Sequence, residues 1–141
     1  MTKKKNIRGF TLIEISVSLA IVMTVLLSII TIFPYSLRIN NRSANLSHAA
    51  FLAQIGIEQA LSLGYDALGI GTIEAKDRLS LDQTSYLYHF QRQTDVDYLD
   101  EDLNVDINDN GLKKITVTVF WNDNFSFQET NYKLETIISQ K

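Results

Sequence analysis

Residues 10–33, FTLIEISVSLAIVMTVLLSIITIF, decide how this chain is built. The last nineteen of them, Ile15 to Phe33, carry no charge. As a helix rising about 1.5 Å per residue, the stretch extends about 36 Å, enough to cross a bilayer core. One acid, Glu14, sits near its start. An acidic group at mid-bilayer costs about 2.5–3.5 kcal/mol on insertion scales, and less near a helix end, so the chain needs a reason to keep it.

The flanking charge sets a direction. Lys3, Lys4, Lys5 and Arg8 precede the stretch, and only Arg38 and Arg42 follow closely. That asymmetry predicts a single pass through the cytoplasmic (inner) membrane, with the N-terminus cytoplasmic and the remainder exported. All sixteen acids lie after Gly9, so a chain starting at Phe10 carries nine basic residues against those sixteen, a formal charge of −7. Direct nucleic-acid binding is not expected of such a chain, because phosphate contacts need clustered Lys and Arg. There is no cysteine, which removes disulfides and thiolate metal sites from consideration. A cleavable signal peptide has an apolar core of about 7–15 residues and a small-residue cut site. Here the run is longer and ends in Phe33-Pro34-Tyr35. An uncleaved signal anchor fits hydropathy equally well.

Beyond Pro34, a bend point because proline removes a backbone donor, the helical pattern continues. Leu46, Ala49, Ala50, Ala53, Ile57, Ala60 and Leu61 recur at three- and four-residue spacing, which predicts an amphipathic helix with a small-residue face. Gly64 is its expected stop. Residues 65–83 read as a loop, and from residue 84 the period becomes two. Strands are expected at 84–93, around Leu103, Val105 and Ile107, over Ile115 to Trp121, and around Tyr132, Leu134 and Ile138. Turns are expected at Asp109-Asn110-Gly111 and Asn122-Asp123-Asn124. The expectation is an α+β fold: a long N-terminal helix, transmembrane over 10–33 and amphipathic over 34–64, packed on an antiparallel sheet of about four strands within 84–141.

Arg8-Gly9-Phe10-Thr11-Leu12-Ile13-Glu14, behind a basic leader of residues 1–9 and ahead of an uninterrupted apolar run, resembles the type IV pilin signature. The resemblance implies cleavage by prepilin peptidase between Gly9 and Phe10, followed by N-methylation of Phe10. It also implies assembly with other pilin or pseudopilin subunits at an inner-membrane platform, from a subunit held in membrane lipid beforehand. In that family the acid of one subunit pairs with the terminal amine of a neighbour, which gives Glu14 its reason. Two opposite charges in lipid are tolerated together, and each strongly disfavours being left alone. Ser16, Ala20, Thr24 and Ser28 form a four-residue ladder of small side chains that lets helices approach closely. Small residues are also common in spanning helices generally.

The stretch Lys113 to Trp121, followed by a turn and a last strand, looks like the C-terminal hairpin of PilV-like minor pilins, relatives of a minor pseudopilin of type II secretion. Major pilins usually carry a proline where Thr31 stands, and this chain has Pro34 instead, which favours a minor subunit.

Asp106, Asn108, Asn110 and Gly111 match the first half of a calcium loop. Val117 stands where the bidentate acid belongs, and Asn-Gly is equally the usual choice for a tight turn. Seven acids and no base fall between Asp95 and Asp109, so a signal-anchored, cation-binding surface module is the alternative reading. His48 and His89 are the only histidines, and neither has a cysteine or a close acid at ligand spacing. No nucleophile elbow, phosphate loop or H-E-x-x-H motif is present, so no enzyme and no cofactor are expected.

Overall fold

The computed structural model describes residues 9–122 and 128–140. The leader up to Arg8 and the turn expected at Asp123-Asn124 lie outside the described residues. By its contacts the chain divides into two compact units, Met1–Asn40 and Asn41–Lys141.

One helix, α1 (Leu12–Ser62), accounts for both stretches predicted to be helical, and the assignment continues through Pro34. Proline there leaves the Ile30 carbonyl without its amide partner. Nearby, the Thr31 hydroxyl bonds back to the carbonyls of Leu27 (3.3 Å) and Ser28 (2.8 Å). The helix ends where Gly64 adopts φ +75°, a left-handed conformation that costs glycine nothing. A single turn, α2 (Gly64–Ala67), follows.

The second unit is the helix end packed on a sheet. Strands β1 (Gly71–Arg78), β2 (Phe90–Leu99), β4 (Leu112–Asn122) and β5 (Glu129–Ser139) lie in the order β1-β2-β4-β5, all antiparallel. A two-residue strand, β3 (Val105–Asp106), adds a short pairing to β2 at Tyr98 and Leu99. Alternation places Ile115, Val117, Val119 and Trp121 of β4 on the buried face, as their sequence pattern predicts. Tyr132, Leu134 and Ile138 of β5 pack against the same core.

The buried face of α1 is Ala49, Leu52, Ala53, Gly56, Ile57 and Ala60, a stripe at helical spacing. Gly56 sets the distance to the sheet. A Cβ at that position would lie 2.9 Å from Val117 Cγ1 and 3.2 Å from Arg92 Cδ. The helix therefore approaches β2 and β4 through its backbone. Leu46 and Leu61, expected on this face, flank it and stay partly open, at 47% and 38% exposure.

Three segments differ from expectation. Residues 65–83 contain all of α2 but Gly64 and the whole of β1, where a loop was expected. β1 is an exposed edge strand with two breaks in register, so it never shows the alternation that marks a half-buried strand. Before β2, Tyr86–His89 forms a 3₁₀ turn capped by the Ser85 hydroxyl, so the strand begins at Phe90 rather than near residue 84. The alternation at 103–107 yields only β3. Leu103 has φ 64° and Ile107 is 90% exposed, while the Asp100 and Asp106 carboxylates take up neighbouring backbone N–H groups.

Candidate functional site

The sequence points to the start of α1, and there Thr11 and Glu14 form a reciprocal pair. The Glu14 Oε2 atom accepts from the Thr11 backbone N–H (3.1 Å) and hydroxyl (3.2 Å), and Thr11 Oγ1 accepts from the Glu14 N–H (3.3 Å). With Leu12 as the first helical residue, Thr11 is the N-cap and Glu14 the third position, the arrangement of a capping box. Two amide donors that the helix itself cannot satisfy find partners, and the carboxylate sits where the helix dipole favours negative charge. The signal, Thr-x-x-Glu ahead of an apolar run, was legible in the sequence. Reading Glu14 only as a charge in lipid obscured it.

Gly9 and Phe10 precede the helix in irregular, exposed backbone, and Phe10 is 81% exposed. A Cβ on Gly9 would meet nothing within 4 Å among the described residues, so their packing does not require glycine there.

Ser16, Ala20, Thr24 and Ser28 are all exposed along α1. Their hydroxyls turn inward: Ser16 bonds to the Leu12 carbonyl (3.0 Å), Thr24 to Ala20 (2.8 Å) and Ser28 to Thr24 (2.8 Å). With its polar atoms satisfied by its own backbone, the stripe presents a low, smooth profile that tolerates lipid or another helix. Among the described residues, α1 is the one helix long and apolar enough to cross a membrane.

In the second unit the polar groups clamp the helix end to the sheet. Arg92, only 8% exposed on β2, donates to both Glu74 oxygens through Nε (3.1 and 2.9 Å) and again through Nη2 (2.9 Å). It reaches α1 at the Gln59 side chain (2.9 Å) and the Leu52 carbonyl (3.4 Å), while Thr94 completes Glu74 at 2.7 Å. Burial pushes the Glu74 carboxyl up, but hydrogen bonds from Arg92 and Thr94 and the guanidinium charge outweigh it, leaving it below its usual value. Neither charge is stranded, which is the condition for tolerating a partly buried pair.

Lys113, 4% exposed, donates to the carbonyls of Tyr65 (2.7 Å) and Leu68 (2.8 Å) and lies 4.2 Å from the centre of the Tyr65 ring. The Tyr65 hydroxyl donates to Asp109 Oδ1. Burial, then this bond and the nearby carboxylate charge, push the phenol up to about 12.

The half-loop considered for calcium uses its acid differently. Asp106 accepts from the Ile107 N–H (2.7 Å), the Asn108 N–H and side-chain amide (both 3.3 Å) and the Asn110 amide (2.7 Å). These donors hold its carboxyl below the usual range. Asn108 and Asn110 thus point N–H groups, rather than oxygens, at the acid. Gly111 takes φ +79°, as the tight turn requires. Among the described residues no three His, Cys, Asp or Glu side chains gather as a metal set.

In comparison with known families, residues 4–30 match the prokaryotic N-terminal methylation motif. No curated protein and no solved structure matched the chain. The motif and the apolar helix behind it support a type IV pilin-like protein, processed by prepilin peptidase and associating with other pilin subunits. They are consistent with an inner-membrane anchor that then enters a surface filament.

Proposed function

We propose that this chain is a minor pilin or pseudopilin, PilV-like in its C-terminal hairpin, serving a type IV pilus, competence or type II secretion filament. Its role is structural and not enzymatic. Prepilin peptidase cuts between Gly9 and Phe10 on the cytoplasmic side, Phe10 is N-methylated, and the assembly platform draws the subunit from the membrane into the filament.

The observation that carries this reading is the methylation motif over residues 4–30, with Glu14 five positions beyond Gly9 in a helix that otherwise has no charge up to Phe33. The open space around Gly9 among the described residues supports it, because a glycine that their packing does not need answers to the enzyme that cuts after it. After the cut, the amine of Phe10 needs an anionic partner in a low-dielectric setting. Glu14 of a neighbouring subunit supplies it. The capping bonds to Thr11 hold that carboxylate at the end of the helix meanwhile. The small-residue ladder lets the helices draw close, and the sheet supplies the exposed surface that gives this subunit its identity.

Glu14→Ala tests the assembly contact. The variant should insert and be cut normally but enter filaments poorly, as read by immunoblot of sheared filaments against the membrane fraction. Undiminished incorporation would refute the pairing.

A further inference from the structure

Beside Trp121 lies a cavity of about 270 Å³, entirely within the second unit, that the filament reading leaves unused. One wall is a stripe on α1: Asn41, Ala44, Asn45 and His48, spaced so that all four share a face. The opposite wall is Tyr86 of the 3₁₀ turn, with Phe90 and Trp121 behind it and Asn122 at the strand end. The aromatic rings form a connected set. His48 and Tyr86 have centroids 5.3 Å apart, His48 and Phe90 6.3 Å, and Phe90 and Trp121 6.2 Å. Phe90 and Trp121 are fixed in the core at 3% and 5% exposure, whereas Tyr86 is 53% exposed and frames the opening.

The lining chemistry is selective. Among the described residues the lining, which also includes His89, holds no Asp, Glu, Lys or Arg. A charged ligand would enter without a counter-charge, at a desolvation cost. Three side-chain amides, Asn41, Asn45 and Asn122, make no hydrogen bond among the described residues, so their donors and acceptors are free for a ligand. Asparagine is a poor helix former, and two within one turn of α1 weaken the helix locally without repaying it in any internal contact. Free amides around aromatic faces, in a cavity slightly below the usual size for drug-like ligands, suit one small ring bearing several hydroxyls. Amides pair with adjacent hydroxyls while the ring's C–H face lies on an aromatic surface.

We propose that this cavity binds a single neutral sugar ring, as a free hexose or as one unit of a glycan. The proposal is independent of the filament reading, since it rests on residues that take no part in processing or helix assembly.

Trp121 is the only tryptophan in the chain and lines this cavity, so its fluorescence reports on binding there. The Asn45 and Tyr86 variants separate that response from one at the neighbouring cavity that Trp121 also borders. The full-length chain, held in a polyoxyethylene detergent that carries no sugar headgroup, is titrated with glucose, galactose and N-acetylglucosamine. At least one should give a saturable change, with half-saturation on the order of 1–10 mM for so small a ligand. Asn45→Ala and Tyr86→Ala, each confirmed to melt like the parent, should weaken that binding about five- to tenfold. Loss of the same size when the sugar is presented as a disaccharide, against none for the free hexose, would assign the site to free sugar; equal binding assigns it to glycan, and both support the proposal. Three results overturn it: no saturable change up to about 100 mM of any sugar, unchanged binding in both variants, or a saturable response to phosphocholine alone.

Discussion

Between Leu12 and Asn40 every side chain of α1 is exposed, including Leu19, Ile21, Val22, Leu26 and Ile30. Between Ala49 and Ala60 the same helix buries Ala, Leu, Gly and Ile against a sheet of its own chain. The composition differs in the same direction. The first half is apolar on all sides, the pattern of a helix whose partner is lipid or other helices. The second half buries one narrow face of mostly small residues and is more polar elsewhere, although Leu46, Phe51 and Leu61 stay exposed beside it. One helix thus carries two kinds of burial, and only the second is completed within the chain. The first half leaves its partner to be supplied from outside, which is what a subunit that passes from membrane to filament requires.

If that division is right, substitutions in the second half and in the sheet it packs on should change the stability of the second unit, and those in the first half should not. The largest effect is expected at the clamp. Arg92→Met leaves the Glu74 carboxylate, the Gln59 amide and the Leu52 carbonyl without their shared donor, and should cost about 3 kcal/mol in a thermal or denaturant melt. A loss below about 1 kcal/mol would mean that water replaces the guanidinium at little cost.

Next comes Gly56→Val, whose new Cβ would meet Val117 and Arg92 at 2.9 and 3.2 Å. Overpacking of that kind costs about 1–3 kcal/mol, a fall of about 5–20 °C in melting temperature for a unit of this size. Leu26→Ala, in the half exposed throughout, should leave that transition where it is. Equal shifts from the two would erase the contrast.

Acid should act more gently, and in a fixed direction. The Glu74 carboxyl lies below its usual value in the folded chain, so its contribution is present above the ordinary carboxylate range and is lost as pH falls through the lowered value. Melting temperature should therefore drop on acidification, and Glu74→Gln should flatten that part of the profile.

The smallest effect belongs to the helix start. Thr11→Val removes the hydroxyl half of the capping box, worth about 1 kcal/mol. Amide exchange over Leu12 to Ile15 in micelles should speed up about fivefold while the second unit melts unchanged.

The two regions were not equally legible in the sequence. The apolar run needed only length and charge, and Ala49, Ala53, Ile57 and Ala60 were placed by spacing alone. Gly56 escaped because a glycine adds nothing to a hydrophobic pattern; its sign is its place in a small-residue series with Ala49, Ala53 and Ala60. β1 escaped for a different reason. It is held through Glu74 and Arg92 and paired with register breaks, so it has no apolar alternation to detect. At 103–107 the reverse happened. Real alternation was present, but Leu103 and Ile107 face solvent in a stretch organised by Asp100 and Asp106. The chemistry around Glu14 was visible as both a lone charge in an apolar run and a capping pattern, and the two readings describe the same carboxylate.

The central claim is that the first half of α1 is made to be released from its leader and handed to other subunits. Its most direct test is the intact mass and N-terminal peptide mass of the protein taken from the membrane fraction of its own cell. We expect a chain that begins at Phe10 and carries one added methyl group on its amine. A chain still bearing Lys3 to Gly9 would contradict the claim, and would return the protein to a signal-anchored surface module in which Glu14 does no more than cap its own helix.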